Sequence, residues 1–377
     1  MQCDYFDAGR CRSCTLMGSP YAGQLADKAD RAAHALASTA PGMTWLEPAR
    51  SAEAHYRNKA KLVVAGRRGR PTFGILDEHG RGVDLRRCGL YEPGLAATFD
   101  PLHRFVSTLG IEPYDVPGRR GELKHLIVTH SPDGEHLVRF VVRSGESVDL
   151  IRAALPQLLT LLPSARVVTV NVHPEHKAVL EGDTEAVLTT ESLLPMRVGD
   201  VTLLLGPRAF FQTNTRVAEA LYAQARDWAD AHSPTTVWDL YCGVGGFALH
   251  LAAADRHVVG VETSAEAVGA ARAAGARLPE SLSATVEFVA ADATQGGFAA
   301  PSPNLVVVNP PRRGLGPELA TWLDRSDAAH VVYSSCHLDS LVRDLSRMPS
   351  LRVTTGRVFD MFPQTTHLET AVLLERR

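Results

Sequence analysis

The chain has 377 residues, more than one hydrophobic core comfortably serves, so at least two domains are expected. Its hydrophobic content of 45 % and charged content of 21 % are those of an ordinary soluble globular protein. The formal net charge of −3 excludes a protein that is basic all over but not a local basic patch. The N-terminus lacks the pattern of a signal peptide, and no run of about 18 apolar residues is present to cross a membrane. We therefore expect a cytoplasmic protein.

Three of the six cysteines lie close to the N-terminus. Cys3, Cys11 and Cys14 have the spacing C-x7-C-x2-C, and Cys88 is a possible fourth member of the set. Disulfides are not expected in a cytosolic protein, and four thiolates suit either tetrahedral zinc or an iron–sulfur cluster. Zinc sites more often combine two close pairs, so the three-plus-one pattern favours a [4Fe–4S] cluster. Zinc and four unrelated buried thiols remain the alternatives.

The next part of the chain predicts a helix over residues 19–38 and then an α+β region dominated by antiparallel strands up to residue 195. Helices are predicted over Gly94–Leu109 and Val148–Leu162. The predicted strands are 60–65, 126–129, 137–142 and 166–171. Residues 57–70 carry six basic residues and no acidic one, which is compatible with a phosphate-binding surface or with a solvated strand pair.

A boundary is expected near residues 190–208, followed by a strictly alternating pattern of strands and helices. Strands are predicted at 237–241, 257–262, 285–290, 305–308, 330–334, 351–359 and 369–374, with helices between the first five. This order predicts an α/β fold with a doubly wound, mostly parallel sheet. No helix separates the last two strands, so these are expected to be antiparallel to each other at one edge.

The first strand of this sheet leads into a glycine-rich turn, Asp239-Leu-Tyr-Cys-Gly-Val-Gly-Gly246. Strand, glycine turn and helix together let a ligand approach backbone N–H groups closely. With Glu262 at the end of the next strand, the pattern fits either a nicotinamide dinucleotide or S-adenosylmethionine (SAM). Gly243 is the expected point of approach, and the glycines alone do not separate the two cofactors.

Three later strand ends favour SAM. Asp292 follows the third strand, where a carboxylate can hold an adenine edge, and Asn309-Pro-Pro-Arg-Arg-Gly314 follows the fourth. Cys336 follows the fifth strand, and ligands in such sheets bind at the carboxyl ends of the strands. A dehydrogenase needs no thiol at this position. Arg312 occupies the place of the aromatic residue typical of enzymes that methylate exocyclic amines, which argues against N-methylation.

A cysteine in such a pocket points to methylation of pyrimidine C5. That carbon is a poor nucleophile until a thiolate adds to C6, and a base must afterwards remove the C5 proton so that the thiol can leave. Cys336 is the predicted nucleophile. Glu369, at the start of the last strand, is the candidate base, although its spacing alone does not distinguish it from the other acidic residues. We interpret Cys242 as a packing residue.

With these motifs the chain resembles the bacterial iron–sulfur 23S rRNA (uracil-5-)-methyltransferases, members of the class I SAM-dependent RNA m5U methyltransferase family. The similarity runs from the N-terminal cysteines to the C-terminus. It includes Tyr56-Arg-Asn-Lys-Ala-Lys61, Arg120-Gly-Glu-Leu-Lys124, Phe210-Phe-Gln-Thr-Asn214 and Phe359-Asp-Met-Phe-Pro363. Many larger relatives begin with an RNA-binding β-barrel, whereas this chain begins at the cysteine cluster and so is similar to the compact branch. Relatives acting on tRNA or on another rRNA uridine usually have Asp-Pro-Pro at the position of Asn309.

The resemblance implies the residues that bind and react. It implies Cys3, Cys11, Cys14 and Cys88 as ligands of a [4Fe–4S] cluster. It implies Cys336 as nucleophile and Glu369 as proton acceptor, with SAM contacts from Gln212, Tyr241, Glu262 and Asn309. The implied substrate is a uridine in a hairpin loop of 23S rRNA.

We accordingly divide the chain into three regions and predict one reaction. Residues 1–90 are expected to hold the cluster and a basic strand pair, 91–195 a central RNA-binding domain, and 196–377 the SAM-dependent methyltransferase domain. The predicted reaction converts a 23S rRNA uridine to 5-methyluridine, and the basic residues of 57–70 and Lys124 are assigned to RNA binding. A cytosine-C5 methyltransferase and an inactive RNA-binding iron–sulfur sensor are the alternatives. No protein partner is expected, and the predicted state is a monomer.

Overall fold

We describe a computed structural model of the chain over residues 1–176, 180–294 and 301–377. The strands are β1 Thr44–Trp45, β2 Lys59–Arg67, β3 Arg70–Leu76, β4 Gly82–Asp84, β5 Leu123–His130, β6 His136–Val142, β7 Ala165–Val172, β8 Thr184–Val187, β9 Leu194–Val198, β10 Val201–Leu205, β11 Thr236–Leu240, β12 His257–Glu262, β13 Val286–Ala290, β14 Leu305–Val308, β15 His330–Ser335, β16 Leu351–Phe359 and β17 Glu369–Arg376. The helices are α1 Asp4–Asp7, α2 Tyr21–Leu36, α3 Pro93–Ala96, α4 Phe99–Leu109, α5 Glu146–Ala153, α6 Leu155–Leu161, α7 Thr215–His232, α8 Gly246–His250, α9 Ala265–Gly275, α10 Glu280–Ser283, α11 Gly316–Arg325 and α12 Leu338–Leu345. No helix within these residues is both long and apolar enough to cross a bilayer.

The chain forms two compact units, each built from two segments. One contains Met1–Gly18 and Glu53–Met196, and the other contains Ser19–Ala52 and Arg197–Arg377. This grouping differs from the expected three regions in two respects. Strand β2 pairs with β5, so a single sheet crosses residue 90. Helix α2, expected with the N-terminal region, belongs to the second unit instead.

The first unit contains a seven-stranded sheet in the order β4-β3-β2-β5-β6-β7-β8. All neighbours are antiparallel except β6 and β7, in agreement with the predicted antiparallel character. Its core includes Phe99 and Phe105 of α4 and Phe140 of β6, all at most 1 % exposed. Burial of each such ring stabilises the fold by roughly 1.5–3 kcal/mol.

Two helices predicted as continuous are each broken in the structure. The Gly94–Leu109 helix is divided into α3 and α4, and the Val148–Leu162 helix into α5 and α6. Pro101 and Pro156 explain the breaks, because a proline donates no hydrogen bond to the carbonyl four residues earlier and its ring crowds that carbonyl.

The second unit contains an eight-stranded sheet in the order β1-β16-β17-β15-β14-β11-β12-β13. The α/β class is confirmed, and so is the parallel arrangement of the five strands β11, β12, β13, β14 and β15. The central strand β14 is buried along its whole length, as its uninterrupted Leu-Val-Val-Val sequence predicts for a strand covered on both faces. Strands β16 and β17 are antiparallel, as expected.

The β16–β17 pair lies towards one edge of the sheet, as expected, but a further short strand is added outside it. Strand β17 lies between β15 and β16, antiparallel to both, and the two-residue strand β1 extends the sheet beyond β16. This insertion matters for the site, because it brings the first residue of β17, Glu369, beside the end of β15, where Ser335 pairs with Thr370.

Candidate active site

The glycine turn after β11 has an open side and a packed side. Tyr241, Gly243 and Gly245 all have positive φ, of 66°, 55° and 86°. A Cβ on Gly245 would lie 2.9 Å from the Phe288 ring, whereas a Cβ on Gly243 would meet no atom within 4 Å. Left-handed backbone at a non-glycine residue such as Tyr241 costs roughly 1–2 kcal/mol and is typical of functional turns. The turn therefore presents open backbone to a ligand at Gly243.

Two carboxylates accept hydrogen bonds from the backbone in and around this turn. Glu262 accepts hydrogen bonds from the Gly243 N–H at 3.2 Å and, through its other oxygen, from the Ser264 N–H at 2.9 Å. Asp239 is completely buried and accepts from the Ala248 N–H at 2.8 Å in the first turn of α8. Burial, with a smaller contribution from the Glu262 charge, raises the pKa of Asp239 to about 8, although the Ala248 hydrogen bond acts in the opposite direction. Both residues thus fix the backbone around Gly243.

Three of the other predicted SAM residues, Tyr241, Asp292 and Asn309, follow parallel strands and therefore lie at the same end of the sheet. Asp292 accepts hydrogen bonds from the N–H and hydroxyl of Thr294, which lower the pKa of its carboxyl. Burial raises the pKa of Tyr241, and the negative charge of Asp292 also acts to raise it. Asn309 is half-buried directly after β14, the neighbour of β11. Gln212, before α7, is 6 % exposed.

A thiol and a buried carboxyl meet at the ends of β15 and β17. Glu369 is 2 % exposed and accepts a hydrogen bond of 2.5 Å from the Ser334 hydroxyl. Burial raises the pKa of Glu369 to about 7, although the Ser334 hydrogen bond acts in the opposite direction. Burial also raises the pKa of the Cys336 thiol; the Glu369 charge raises it further, and Arg312 lowers it by its charge and a hydrogen bond. The structure therefore brings Cys336, Glu369 and Arg312 together.

Cys336 and Arg312 line a cleft of about 690 Å³ in the second unit. Clefts that bind small molecules typically have volumes of about 300–1,000 Å³. The volume of this cleft lies in that range, which is enough for a single nucleotide. Helix α2 forms one wall and the segment before β17 another. The lining residues are Asp30, Arg31, His34, Ala35, Arg312, Cys336, His337, Leu338, Asp339, Thr366, His367 and Leu368.

The four predicted cluster cysteines all lie in the first unit. Cys14 is 8 % exposed and packs in a small apolar cluster with Tyr56 and Leu90, which Cys88 also contacts. Burial raises the pKa of Cys14 to about 12, and the next causes are the charges of Cys88, Cys11 and Cys3. The four thiols are therefore near neighbours.

No three of these sulfur atoms all lie within 4.8 Å of one another in the part of the chain that the structure describes. Among residues 1–176, 180–294 and 301–377, the set of three potential ligand atoms within 4.8 Å of one another is that of His232, His330 and Glu375, not a set of thiols. Four thiolates on one zinc at about 2.3 Å would lie roughly 3.8 Å apart.

The residues assigned to RNA binding divide into exposed and buried ones. Lys61 of β2 is exposed, as are Arg67, Arg68 and Arg70 around the β2–β3 turn. The assignment of Lys124 is wrong. This residue is 5 % exposed, and its ammonium group donates to the Glu175 carbonyl at 2.6 Å, so it is not available to a phosphate.

Comparisons with known proteins decide the family. The chain is 46 % identical to a 23S rRNA (uracil(747)-C(5))-methyltransferase of Halothiobacillus neapolitanus, with all of both chains covered. It is 45 % identical to the protein of the same name from Edwardsiella ictaluri, over 100 % of this chain and 99 % of that one. The chain belongs to the 23S rRNA uracil-C5-methyltransferase family.

Shorter family profiles and a solved structure agree with this membership. A tRNA (Uracil-5-)-methyltransferase profile matches residues 299–377, and a methyltransferase-domain profile matches residues 237–315. The fold is similar to that of the Pyrococcus abyssi tRNA (uracil-54, C5)-methyltransferase in complex with S-adenosyl-L-homocysteine. The TM-score is 0.78 at 23 % identity, over 96 % of this chain and 85 % of that one.

The structure of this uracil-C5-methyltransferase family member adds a supporting residue that sequence reasoning missed. Asp344 of α12 is completely buried and accepts from the Leu315 N–H at 2.7 Å and the Tyr333 hydroxyl at 2.8 Å. A Cβ on Gly314, whose φ is +84°, would lie 2.2 Å from the Asp344 carboxylate. Asp344 thus fixes the end of the loop that carries Arg312. The available signal was an acidic residue placed between Leu341 and Leu345, at the spacing of an apolar helix face.

Proposed function

We propose that this protein methylates C5 of a uridine in 23S rRNA, the one that the names of its relatives place at position 747, with SAM as methyl donor. The observation that carries the proposal is the proximity of both Glu369 and Arg312 to Cys336, which lines the cleft together with Arg312. Cys336 and Glu369 are the nucleophile and the base that C5 chemistry requires. Such a substrate places the enzyme in the cytoplasm, and we propose that it acts as a monomer.

The first proposed step is addition of Cys336 to uracil C6. The Cys336 thiolate is the reacting form: its sulfur forms a bond to C6 while the electron pair of the C5–C6 double bond becomes available at C5. Arg312 favours the thiolate, because its guanidinium group lowers the thiol pKa. The target base leaves its stack to reach the cleft, at roughly a few kcal/mol, and less from a loop than from a duplex.

The proposed last step depends on Glu369. After C5 has been methylated, its remaining proton passes to the Glu369 carboxylate. The electron pair of that C–H bond restores the C5–C6 double bond and expels the Cys336 thiolate. Burial suits this role, since a carboxyl whose pKa is raised to about 7 is a stronger base than an exposed one and is still ionised in part at neutral pH.

The glycine turn fits SAM as the donor. When bound, SAM supplies an electrophilic methyl group on a sulfonium. On this proposal, Gly243 lets the ligand approach the backbone, while Glu262 and Asp292 are the carboxylates for the ribose hydroxyls and the adenine edge. The open space at Gly243 and the fixed position of Glu262 support this assignment. Gln212, Tyr241 and Asn309 complete the proposed contacts.

We further propose that Cys3, Cys11, Cys14 and Cys88 hold a [4Fe–4S] cluster. Four neighbouring thiols in a partly apolar environment suit this group, and the three-plus-one spacing of the cysteines along the chain favours a multi-iron cluster over a single zinc ion. The second unit contains the proposed chemistry, whereas these cysteines belong to the first. We therefore assign the cluster a structural role, without redox turnover.

A cysteine substitution tests this metal assignment. Anaerobically purified protein is expected to be brown and to contain about four iron and four sulfide per chain, as the proposed cluster requires. Cys88→Ser is expected to lose the visible absorbance and to unfold at lower temperature, since the cluster links Cys88 to the N-terminal segment. Cys242→Ser, which changes a buried thiol outside this set, is expected to keep the iron. A colourless protein with one zinc would contradict the assignment.

We propose that the exposed basic residues of the β2–β3 pair contact RNA phosphates. Lys61, Arg67, Arg68 and Arg70 form this basic surface. The proposal excludes Lys124. It gives Lys59 a smaller role in RNA binding, because Lys59 is half-buried and burial lowers its pKa to about 8.

The salt dependence of RNA binding tests this basic surface. Replacing Arg67 and Arg68 by alanine is expected to weaken binding and to reduce the slope of log K against log salt by up to about 1.4, at roughly 0.7 per lost phosphate contact for single-stranded RNA. Arg152→Ala is the matched control, because this exposed arginine is paired with Asp149. An unchanged slope in the double variant, or an equal change in the control, would contradict the proposal.

The reaction itself is tested with unmodified 23S rRNA and methyl-labelled SAM. Digestion and chromatography are expected to place the label in 5-methyluridine at a single position. Label in 5-methylcytidine would indicate the cytosine-C5 alternative, and absence of label from an iron-loaded, folded protein would overturn the proposal.

A further inference from the structure

A buried ion pair joins helix α2 to the segment that leads into Glu369. The Lys28 ammonium group donates to the Asp360 carboxylate at 2.6 Å and to the Phe362 carbonyl at 3.0 Å. The two charged side chains are 1 % and 0 % exposed. Asp360 directly follows β16, so this contact fixes the first residues of the segment 360–368.

Two more side chains on the same face of α2 hold the rest of that segment. Gln24 and Gln364 exchange hydrogen bonds: the Gln24 amide donates to the Gln364 side chain at 3.0 Å, and the Gln364 N–H donates to the Gln24 side chain at 3.0 Å. Arg31 donates to the Thr366 carbonyl at 2.8 Å. Positions 24, 28 and 31 lie about one helical turn apart, so they present a single face.

Ala32, one turn after Lys28 on this face, packs near the residues that neighbour Glu369 and Cys336 in the chain. Ala32 is completely buried in an apolar cluster with Leu368, and Leu338 packs against the same cluster. Leu368 precedes Glu369 in the chain, and Leu338 follows Cys336 by two residues. Helix α2 therefore contacts the segments on which the proposed base and nucleophile both depend.

We propose that Lys28 and Gln24 are positioning residues, which hold Glu369 against Cys336 by clamping residues 360–368 to helix α2. A buried ion pair stabilises a fold no better than well-packed apolar residues, because both charges lose their hydration. Its directional contacts do define one position for the attached backbone. The proton acceptor needs such a fixed position, since a misplacement of about 1 Å can cost 10²-fold in rate.

This inference rests on the proposed roles of Cys336 and Glu369, but its geometric part is testable without RNA or SAM. The pKa of Cys336 reports the distance of Glu369, because the Glu369 charge raises it. Arg312 acts on Cys336, and Ser334 donates to Glu369, whose charge also raises the pKa of the Tyr222 phenol. The other charged or titratable side chains that line the cleft with Cys336 are Asp30, Arg31, His34, His337, Asp339 and His367.

The test is the rate of Cys336 alkylation by iodoacetamide against pH, followed by mass spectrometry of the Cys336 peptide. It uses the full-length protein with its metal content intact. Glu369→Gln is expected to shift the midpoint to lower pH, because the neighbouring negative charge is removed. Lys28→Met is expected to shift it in the same direction by a smaller amount. Loss of the lysine charge alone would raise the midpoint, so the sign separates repositioning of Glu369 from a direct charge effect.

Two further variants control this measurement. Gln24→Ala carries no charge change and keeps the ion pair, so it decides the matter if Lys28→Met does not fold; a downward shift is expected. Asp27→Asn alters a neighbouring exposed charge of α2 and is expected to leave the midpoint in place. The inference is overturned if the clamp variants keep the wild-type midpoint, or if Glu369→Gln itself leaves it unchanged.

Measurements of methylation turnover distinguish a positioning role of Lys28 from a role in folding alone. Lys28→Met is expected to lower steady-state methylation by up to about 10²-fold while the first methyl transfer changes little, so that RNA covalently bound to Cys336 accumulates. The double variant Lys28→Met/Asp360→Leu is expected to recover thermal stability but not turnover. Joint recovery of both would mean that the pair only supports folding. If the wild-type protein forms no 5-methyluridine, the proposed function fails, and the alkylation profile still decides the geometry.

Discussion

Replacing Cys336 by alanine is expected to lower methylation of 23S rRNA by roughly 10⁴- to 10⁶-fold, the scale of loss when an enzyme is deprived of its covalent nucleophile. Without the thiolate, C5 of uracil receives no electron density for attack on a methyl group. The measurement is initial-rate incorporation of labelled methyl groups, with denaturing electrophoresis to detect protein bound covalently to RNA. No such adduct is expected.

SAM binding provides the control for Cys336→Ala. The proposed SAM contacts lie around the turn after β11, whereas Cys336 follows β15, so calorimetric titration is expected to give a wild-type affinity. Loss of both binding and activity would indicate misfolding. Retention of more than about a tenth of the wild-type rate would contradict the nucleophile assignment.

Replacing Glu369 by glutamine is expected to trap the methylated RNA on Cys336. Glutamine keeps the size of the side chain but is not a base, so addition and methyl transfer proceed while elimination stops. Multiple turnover is expected to fall about 10²- to 10⁴-fold, the usual contribution of a general base. Electrophoresis and mass spectrometry are expected to find about one methylated RNA per protein.

A matched substitution and a double variant accompany this test. Glu375 lies on the same strand β17 but is partly exposed and paired with Arg352, so Glu375→Gln is expected to keep wild-type turnover. Glu369→Gln combined with Cys336→Ala is expected to form no adduct. If Glu369→Gln alone forms no adduct, or releases product at the normal rate, the base lies elsewhere.

The pH dependence of the wild-type elimination step follows from the environment of Glu369. Its carboxyl must be ionised to accept the C5 proton, and burial raises its pKa to about 7. The proton-accepting form therefore increases as the pH rises through about 7 and is lost below it. An exposed glutamate would show the same transition near pH 4.3.

Much of the methyltransferase half was predictable because its signals are local. Strands such as Leu305–Val308 are continuous apolar runs, and Cys336, Asn309 and Gly243 all follow strands whose carboxyl ends meet in a parallel sheet. The proximity of Cys336 and Glu369 was harder to predict from the sequence. It depends on the insertion of β17 between β15 and β16, which no spacing in the sequence reveals.

The remaining features depend on contacts between distant parts of the chain. Helix α2 was predicted as a helix, but its position in the cleft wall depends on contacts such as Lys28 to Asp360, which are far apart in sequence. Lys124 was misassigned because a positive charge was taken as exposed, whereas its ammonium group is bound to the Glu175 carbonyl. The breaks at Pro101 and Pro156, by contrast, were readable from the sequence.

The central claim is methylation at C5 of uridine, and the loss of the C5 hydrogen tests it most directly. The substrate is unmodified 23S rRNA transcribed with [5-³H]uridine and incubated with the protein and ¹⁴C-methyl SAM. We expect one tritium released to water for each methyl group incorporated, with all of the ¹⁴C in 5-methyluridine. Incorporation of methyl groups without release of tritium would place the methyl group on another atom and contradict the roles of both Cys336 and Glu369.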